Sequence, residues 1–124
     1  MATPLRVLII DDSEDDALLL MRGLKRGGFE TNSNRVDTAE EVAEALEKQT
    51  WDFILSDFNM PHFTSSSALD MLKEKGIHTP LIVVSGAISP RDEEEVIRQG
   101  ALAYITKDQI DDLIALITKR LEKN

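Results

Sequence analysis

Five side chains could do chemistry in this chain, and each stands where a short apolar run ends. Asp11 and Asp12 follow VLII, Asp57 follows ILS in LSDFNMP, Ser85 closes VVS, and Lys107 follows YIT. Three carboxylates gathered at one place push at least one pKa upward unless a cation shares the site. A hard divalent ion answers that need. Mg²⁺ takes oxygen ligands in octahedral geometry and keeps several waters, so two or three carboxylates, a backbone carbonyl and water would satisfy it. The chain has no cysteine and only two histidines, His62 and His78, which disfavours zinc. Lys107 and Ser85 are donors in acidic surroundings, as expected if an anion also visits. A phosphoryl group in transfer carries negative charge on its equatorial oxygens, and its catalysis is mainly positioning and charge neutralisation. Asp57 is then the nucleophile, forming an aspartyl-phosphate, while Asp11 and Asp12 hold the metal.

These residues meet only if the elements before them end on one edge. LRVLII (5–10), WDFILS (51–56) and PLIVVS (80–85) are apolar on both faces, as buried parallel strands are. ALAYIT (101–106) reads as a shorter strand, and the polar FETNSNRV (29–36) as an edge strand. Helices with start signals lie between them. Ser13, Thr38 and Ser89 each precede an acidic residue by three positions, Pro90 suits a first helical position, and Gly27, Gly76 and Gly100 stand where helices should stop. The last helix, from about Gln109, carries Ile110, Leu113, Ile114, Ile117 and Leu121 at helical spacing. Five strands alternating with five helices predict an α/β fold: a flavodoxin-like, doubly wound (βα)5 three-layer sandwich, with a five-stranded parallel sheet in the order 2-1-3-4-5. Ligands of such sheets bind beyond the carboxyl ends of the strands at the switch in strand order, here between strands one and three.

Composition narrows the function. A chain of 124 residues fits one domain, residues 1–124, with 42% apolar and 30% charged content. A net charge of −9 argues against tracking nucleic-acid phosphates and against an anionic membrane surface. No run approaches the roughly 18 apolar residues that span a bilayer, and MATPLRV lacks the features of a signal peptide, which predicts a cytoplasmic protein.

The ordered set of Asp11-Asp12, Asp57 in DFNMP, Ser85, Tyr104 and Lys107 resembles the receiver domains of two-component response regulators, over essentially the whole chain. The resemblance implies that Asp57 accepts a phosphoryl group from a histidine kinase or histidine phosphotransferase. It implies that Asp12 and Asp57 ligate Mg²⁺ with the Asn59 backbone carbonyl, and that Asp11 acts mostly through water. It makes Lys107 and Ser85 the phosphoryl-binding donors and Ser85 and Tyr104 the switch pair. On phosphorylation Ser85 moves toward the phosphoryl group and Tyr104 turns inward, reshaping the face of helix four, strand five and helix five for a downstream protein. Asn59 and Ala87 flank the path of the hydrolytic water, so they modulate a slow self-dephosphorylation. Such a chain catalyses only its own phosphorylation and dephosphorylation, is not otherwise an enzyme, and is expected as a monomer or weak dimer, alone or within a larger signalling protein. Its SGA after strand four and Lys-Asp after strand five look like receivers attached to sensory kinases.

Two positions depart from the family pattern. Ser65 stands where glycine is common, eight residues after Asp57, so this loop is expected to be reshaped or to turn at a neighbour, with Ser65, Ser66 and Ser67 as possible caps of helix three. Lys107 is followed by Asp108 in place of proline. A cis bond before a non-proline residue costs about 3 kcal/mol, which predicts a trans peptide, with Asp108 as a cap for helix five.

Blander roles compete at several positions. Asp11 and Asp12 could cap the first helix, although Ser13 already serves. Glu14, Asp15 and Asp16 read as first-turn charges favoured by the helix dipole. His62 reads as a loop residue without a chemical role and His78 as structural. Leu18 and Leu19 fall off the core face formed by Ala17, Leu20, Met21 and Leu24. They are either isolated exposed leucines or part of a surface that docks a histidine phosphotransferase. Three rival functions remain. An unphosphorylated pseudo-receiver would ordinarily lack one of the key residues. A flavin-type binder would need a phosphate cradle where DDSEDD stands. An external phosphatase would carry Asp-x-Asp after its first strand.

Overall fold

The computed structural model describes residues 3–58, 60–61, 63–87 and 89–122. Ten elements alternate: β1 (Thr3–Ile10), α1 (Glu14–Arg26), β2 (Phe29–Val36), α2 (Ala39–Lys48), β3 (Phe53–Ser56), α3 (Ser65–Lys75), β4 (Leu81–Ser85), α4 (Pro90–Arg98), β5 (Ala103–Thr106) and α5 (Ile110–Glu122). The sheet runs β2-β1-β3-β4-β5, and every pairing is parallel. This is the expected flavodoxin-like order, with the polar strand at an edge.

Alternation along each strand sends side chains to two separate cores. Leu8, Ile10, Ile54 and Val83 pack under α2, α3 and α4 with Val42, Ala45, Leu69, Leu72 and Val96. Val7, Ile9, Phe53, Leu55, Ile82 and Val84 pack under α1 and α5 with Leu20, Leu24, Leu113 and Ile117. Because both faces are covered, the central strands are apolar along most of their length, with Val7–Ile10, Phe53–Leu55 and Leu81–Val84 all buried. β2 is covered on one face only, and its burial alternates.

The helix signals acted as read, with instructive exceptions. The Ser13 hydroxyl accepts from the Asp16 N–H at 3.2 Å, and Thr38 accepts from the Glu41 N–H at 3.2 Å. Ser89 precedes α4 with no side-chain cap bond. Gly76 ends α3 in the left-handed region at φ 68°, where a side chain is disfavoured. Gly27 has another reason to be glycine. Its φ is −76°, but a Cβ there would lie 2.8 Å from Ile114 Cδ1. One turn earlier, a Cβ on Gly23 would lie 2.4 Å from Ile110 Cγ2. The two glycines form a flat strip on α1 against which α5 seats.

Two expectations about loops are corrected. The cap of α3 is Thr64, whose hydroxyl accepts from the Ser67 N–H at 3.1 Å; none of the three serines caps it. Ser65 is the first residue of that helix and is fully buried. Its N–H donates to the Phe58 carbonyl at 3.3 Å, and no described non-glycine residue has positive φ. The backbone at Ser65 therefore makes no demand for glycine. Asp108 does not cap α5 either, because its carboxylate takes the Thr106 hydroxyl. Gln109 lies next to the helix, and its side-chain oxygen accepts from the Thr106 N–H at 3.0 Å. Among the described residues every peptide is trans, Lys107–Asp108 included.

Candidate functional site

The ladder of the sheet continues past the strand ends and fixes the backbone of the site. The Asp11 N–H donates to the Val36 carbonyl at 3.0 Å, the Asp57 N–H to the Ile10 carbonyl at 2.8 Å, and the Lys107 N–H to the Ser85 carbonyl at 2.8 Å. Residues more than forty positions apart thus leave the sheet at one level. Asp11 is buried, Asp57 half-buried and Asp12 exposed, and one carboxylate oxygen from each lies within 4.8 Å of the others. Neighbouring ligands of an octahedral Mg²⁺ ion stand about 3 Å apart and opposite ones about 4.2 Å, so the three side chains would draw together to close on one.

Electrostatics favour a cation there. Asp11 Oδ1 accepts from the Ser13 N–H at 2.9 Å, and buried Asp11 Oδ2 has the Lys107 ammonium beside it at 3.0 Å. Burial raises the Asp11 pKa above the ordinary carboxylate value, against the opposing pull of the Ser13 N–H and of Lys107. Three carboxylates with one oxygen each inside 4.8 Å, an excess of acid that Lys107 alone does not neutralise and an all-oxygen donor set suit a hard ion such as Mg²⁺.

Lys107 bridges the acids unevenly. Its ammonium lies 2.6 Å from Asp16 Oδ2, 3.0 Å from Asp11 Oδ2 and 3.7 Å from Asp57 Oδ2. Burial alone would lower its pKa, but hydrogen bonds to Asp16 and Asp11 outweigh that and raise it. Asp16 is the residue that sequence reasoning missed. Its sequence signal is the same first-turn acidity that Glu14 and Asp15 carry, so nothing local sets it apart. Arg35 was missed too. From β2 it donates to the Asp11 carbonyl at 3.1 Å and to Glu14 at 3.3 Å, bracing the turn that carries the acidic pair.

The remaining site candidates separate. The pairing of Ser56 with Val83 puts Asp57 and Ser85 within two steps on adjacent strands, and Ser85 is half-buried. Tyr104 is buried, with its hydroxyl donating to the Ala87 carbonyl at 3.0 Å and its ring centroid 5.8 Å from that of Phe58. The ring therefore already faces inward. Burial pushes the Tyr104 pKa up, against a weaker pull from Ser85. Ala87 is exposed. Asn59 and His62 lie outside the described residues. His78 is on the approach to β4, at the other end of the sheet from the acids.

A parallel doubly wound sheet with an acidic cluster and a lysine at its switch point defines the class: an α/β domain with an acidic pocket beyond its strand ends. The family is narrower. The response regulator receiver domain model matches residues 7–118, and the chain belongs to that family. It is 32% identical over 114 residues to the cell cycle transcriptional regulator CtrA of Caulobacter vibrioides, covering 91% of this chain and 48% of that protein. It is 29% identical over 110 residues to the sensory/regulatory protein RpfC of Xanthomonas campestris, covering 83% of this chain and 14% of that protein. The chain thus spans less than half the length of these curated relatives. Among solved structures, the signal receiver domain of the response regulator NarL from Mycobacterium tuberculosis superposes with a TM-score of 0.82 at 18% identity, covering 98% of this chain and 99% of that one. The fold is therefore that of receiver domains. Receiver domains bind Mg²⁺ at an acidic pocket and interact with histidine kinases and downstream effectors. Among the described residues no helix is long and apolar enough to cross a membrane.

Proposed function

We propose that this chain is a phosphorelay receiver that takes a phosphoryl group from a partner's phosphohistidine onto Asp57. The observation that carries this reading is the company Asp57 keeps, with two further carboxylates within 4.8 Å and an ammonium at 3.7 Å. A carboxylate oxygen of Asp57 attacks phosphorus, the phosphorus–nitrogen bond breaks, and the imidazole nitrogen keeps the electron pair. Bound by Asp12 and Asp57, with Asp11 and the Asn59 carbonyl in support, Mg²⁺ would neutralise charge on the phosphoryl oxygens. Lys107 and Ser85 bind the same oxygens from the other strands. Later, water attacks phosphorus, the bond to Asp57 breaks and inorganic phosphate leaves; Asn59 and Ala87 border that path. The chain acts catalytically on itself alone.

Tyr104 couples the site to the surface formed by α4, β5 and α5, where a downstream protein would bind. On the donor side, Leu18 and Leu19 are exposed, and Leu19 lines a groove of about 620 Å³ with Arg22, Lys25, Arg26 and Ile110. An apolar floor rimmed by cations suits docking of a histidine phosphotransferase. The likeness to RpfC and to the receiver of a histidine kinase from Syntrophus aciditrophicus (23% identity, TM-score 0.75) agrees with a place in a sensory-kinase pathway. A cytoplasmic location follows from that role. Incubation with Mg²⁺ and acetyl phosphate tests the reading by intact mass. A gain of one phosphoryl group that disappears in Asp57→Ala supports it. A gain that persists in that variant refutes the assignment, and no gain in the parent protein favours the pseudo-receiver.

A further inference from the structure

We propose that Asp16 is a positioning residue that holds Lys107 off Asp57 in the resting protein and yields it to the phosphoryl group; this rests on the reading of Asp57 as phospho-acceptor. The ammonium sits closest to Asp16, at 2.6 Å, with Asp11 Oδ2 at 3.0 Å and Asp57 at 3.7 Å; of the two nearer partners Asp16 is the exposed one. The lysine backbone is fixed by its 2.8 Å bond to the Ser85 carbonyl, so the flexible four-carbon stem makes the change. A displacement of about 1 Å brings the ammonium to hydrogen-bond distance of Asp57.

The strengths are suited to a release. The Asp16 side chain is 38% exposed, and that of Asp57 14%. Exposed ion pairs are weak and easily given up. A phosphoryl group brings close to two negative charges where Asp16 offers one, in a less solvated position, so phosphorylation wins the ammonium. The role is particular to Asp16. Glu14, in the same first turn, pairs with Arg35, and Asp15 has no ionic partner among the described residues. The Asp16 backbone is itself anchored by the Ser13 cap, which fixes where its carboxylate points.

The test compares Asp16→Asn with Asp15→Asn, each with Lys107 present and with Lys107→Met. In metal-free protein, the Lys107 Cε resonance should shift in Asp16→Asn and stay in Asp15→Asn. With Mg²⁺ and beryllofluoride, a phosphoryl mimic, Asp16→Asn should tighten binding about two- to fivefold. Asp15→Asn should change it little. With Lys107→Met, the Asp16→Asn effect should vanish. Equal effects of the two asparagines, or the same fold-change with and without Lys107, would overturn the positioning role. Failure of the phospho-acceptor reading looks different: the parent protein would take neither acetyl phosphate nor beryllofluoride, and the positioning role would fall with it whatever Lys107 Cε shows.

Discussion

Gly23→Ala is predicted to destabilise the protein although it places a better helix former inside a helix. On propensity alone the change should stabilise α1 by about 1 kcal/mol. The added Cβ, however, would lie 2.4 Å from Ile110 Cγ2 and 3.3 Å from Ile110 Cδ1. Carbon atoms in contact prefer about 3.5–4.0 Å, so the first overlap exceeds 1 Å. Cγ2 moves only by rotation about χ1, and a β-branched side chain in a helix is held strongly to one rotamer, so it yields at a cost. Overpacking of this kind costs about 1–3 kcal/mol. The propensity gain of about 1 kcal/mol offsets part of that, leaving a net loss of up to about 2 kcal/mol, or as much as roughly 8 °C in Tm. Urea unfolding followed by Trp51 is a direct assay. This tryptophan is the only one in the chain, is 8% exposed, and donates its indole N–H to the Ala45 carbonyl at 3.0 Å. Ile110→Ala removes both crowding carbons, so the double variant should lose at least 1 kcal/mol less than the sum of the singles. If Gly23→Ala raises the urea midpoint, the close seating of α5 on α1 is not what keeps glycine there.

Mg²⁺ at ten times its dissociation constant should raise unfolding free energy by about 1.4 kcal/mol, and Asp12→Ala should abolish that gain; an unchanged gain would place the metal elsewhere. Tyr104 is the only tyrosine, and its pKa is raised by burial, so native protein should ionise it above about 10 and urea-unfolded protein near 10. The Lys107 pKa is also raised, and both groups hold protons in the native state that the unfolded chain has released. Stability should therefore be intact below about pH 10 and fall as pH rises through the native values. A tyrosine absorbance titration with a native midpoint at or below the unfolded one would contradict this. Leu19→Asp should slow phosphotransfer from a histidine phosphotransferase about tenfold, as loss of one apolar anchor of about 1.4 kcal/mol would, while leaving acetyl phosphate unaffected. Equal slowing of both donors would remove α1 from the docking surface.

The fold was legible because its signals are local. LRVLII and PLIVVS announce strands covered on both faces, and Ser13 and Thr38 mark helix starts through bonds spanning three residues. Strand ends then bring Asp11, Asp57 and Lys107 to one edge by topology alone. What stayed hidden depends on competition between partners. Ser65, Ser66 and Ser67 all looked able to cap α3, yet Thr64 precedes them and its hydroxyl reaches the open N–H first. Asp108 looked like a cap, but its carboxylate takes the Thr106 hydroxyl two residues back. Gly27 marked a helix end correctly for an unforeseen reason, since its partner Ile114 lies far along the chain.

The acidic run after β1 carries the same lesson into the chemistry. Glu14, Asp15 and Asp16 share one charge and one helix turn, so dipole reasoning treats them alike. Three-dimensional neighbours separate them: Glu14 is drawn to Arg35 of β2, while Asp16 meets Lys107, ninety-one residues away. Local rules place a charge on a turn, and only the assembled sheet decides which strand's cation it answers. The boundary between the metal-facing pair and the helix charges therefore does not fall after Asp12. It runs through the first turn of α1, with Asp16 on the side of the site, and a variant at Asp16 should act only through Lys107.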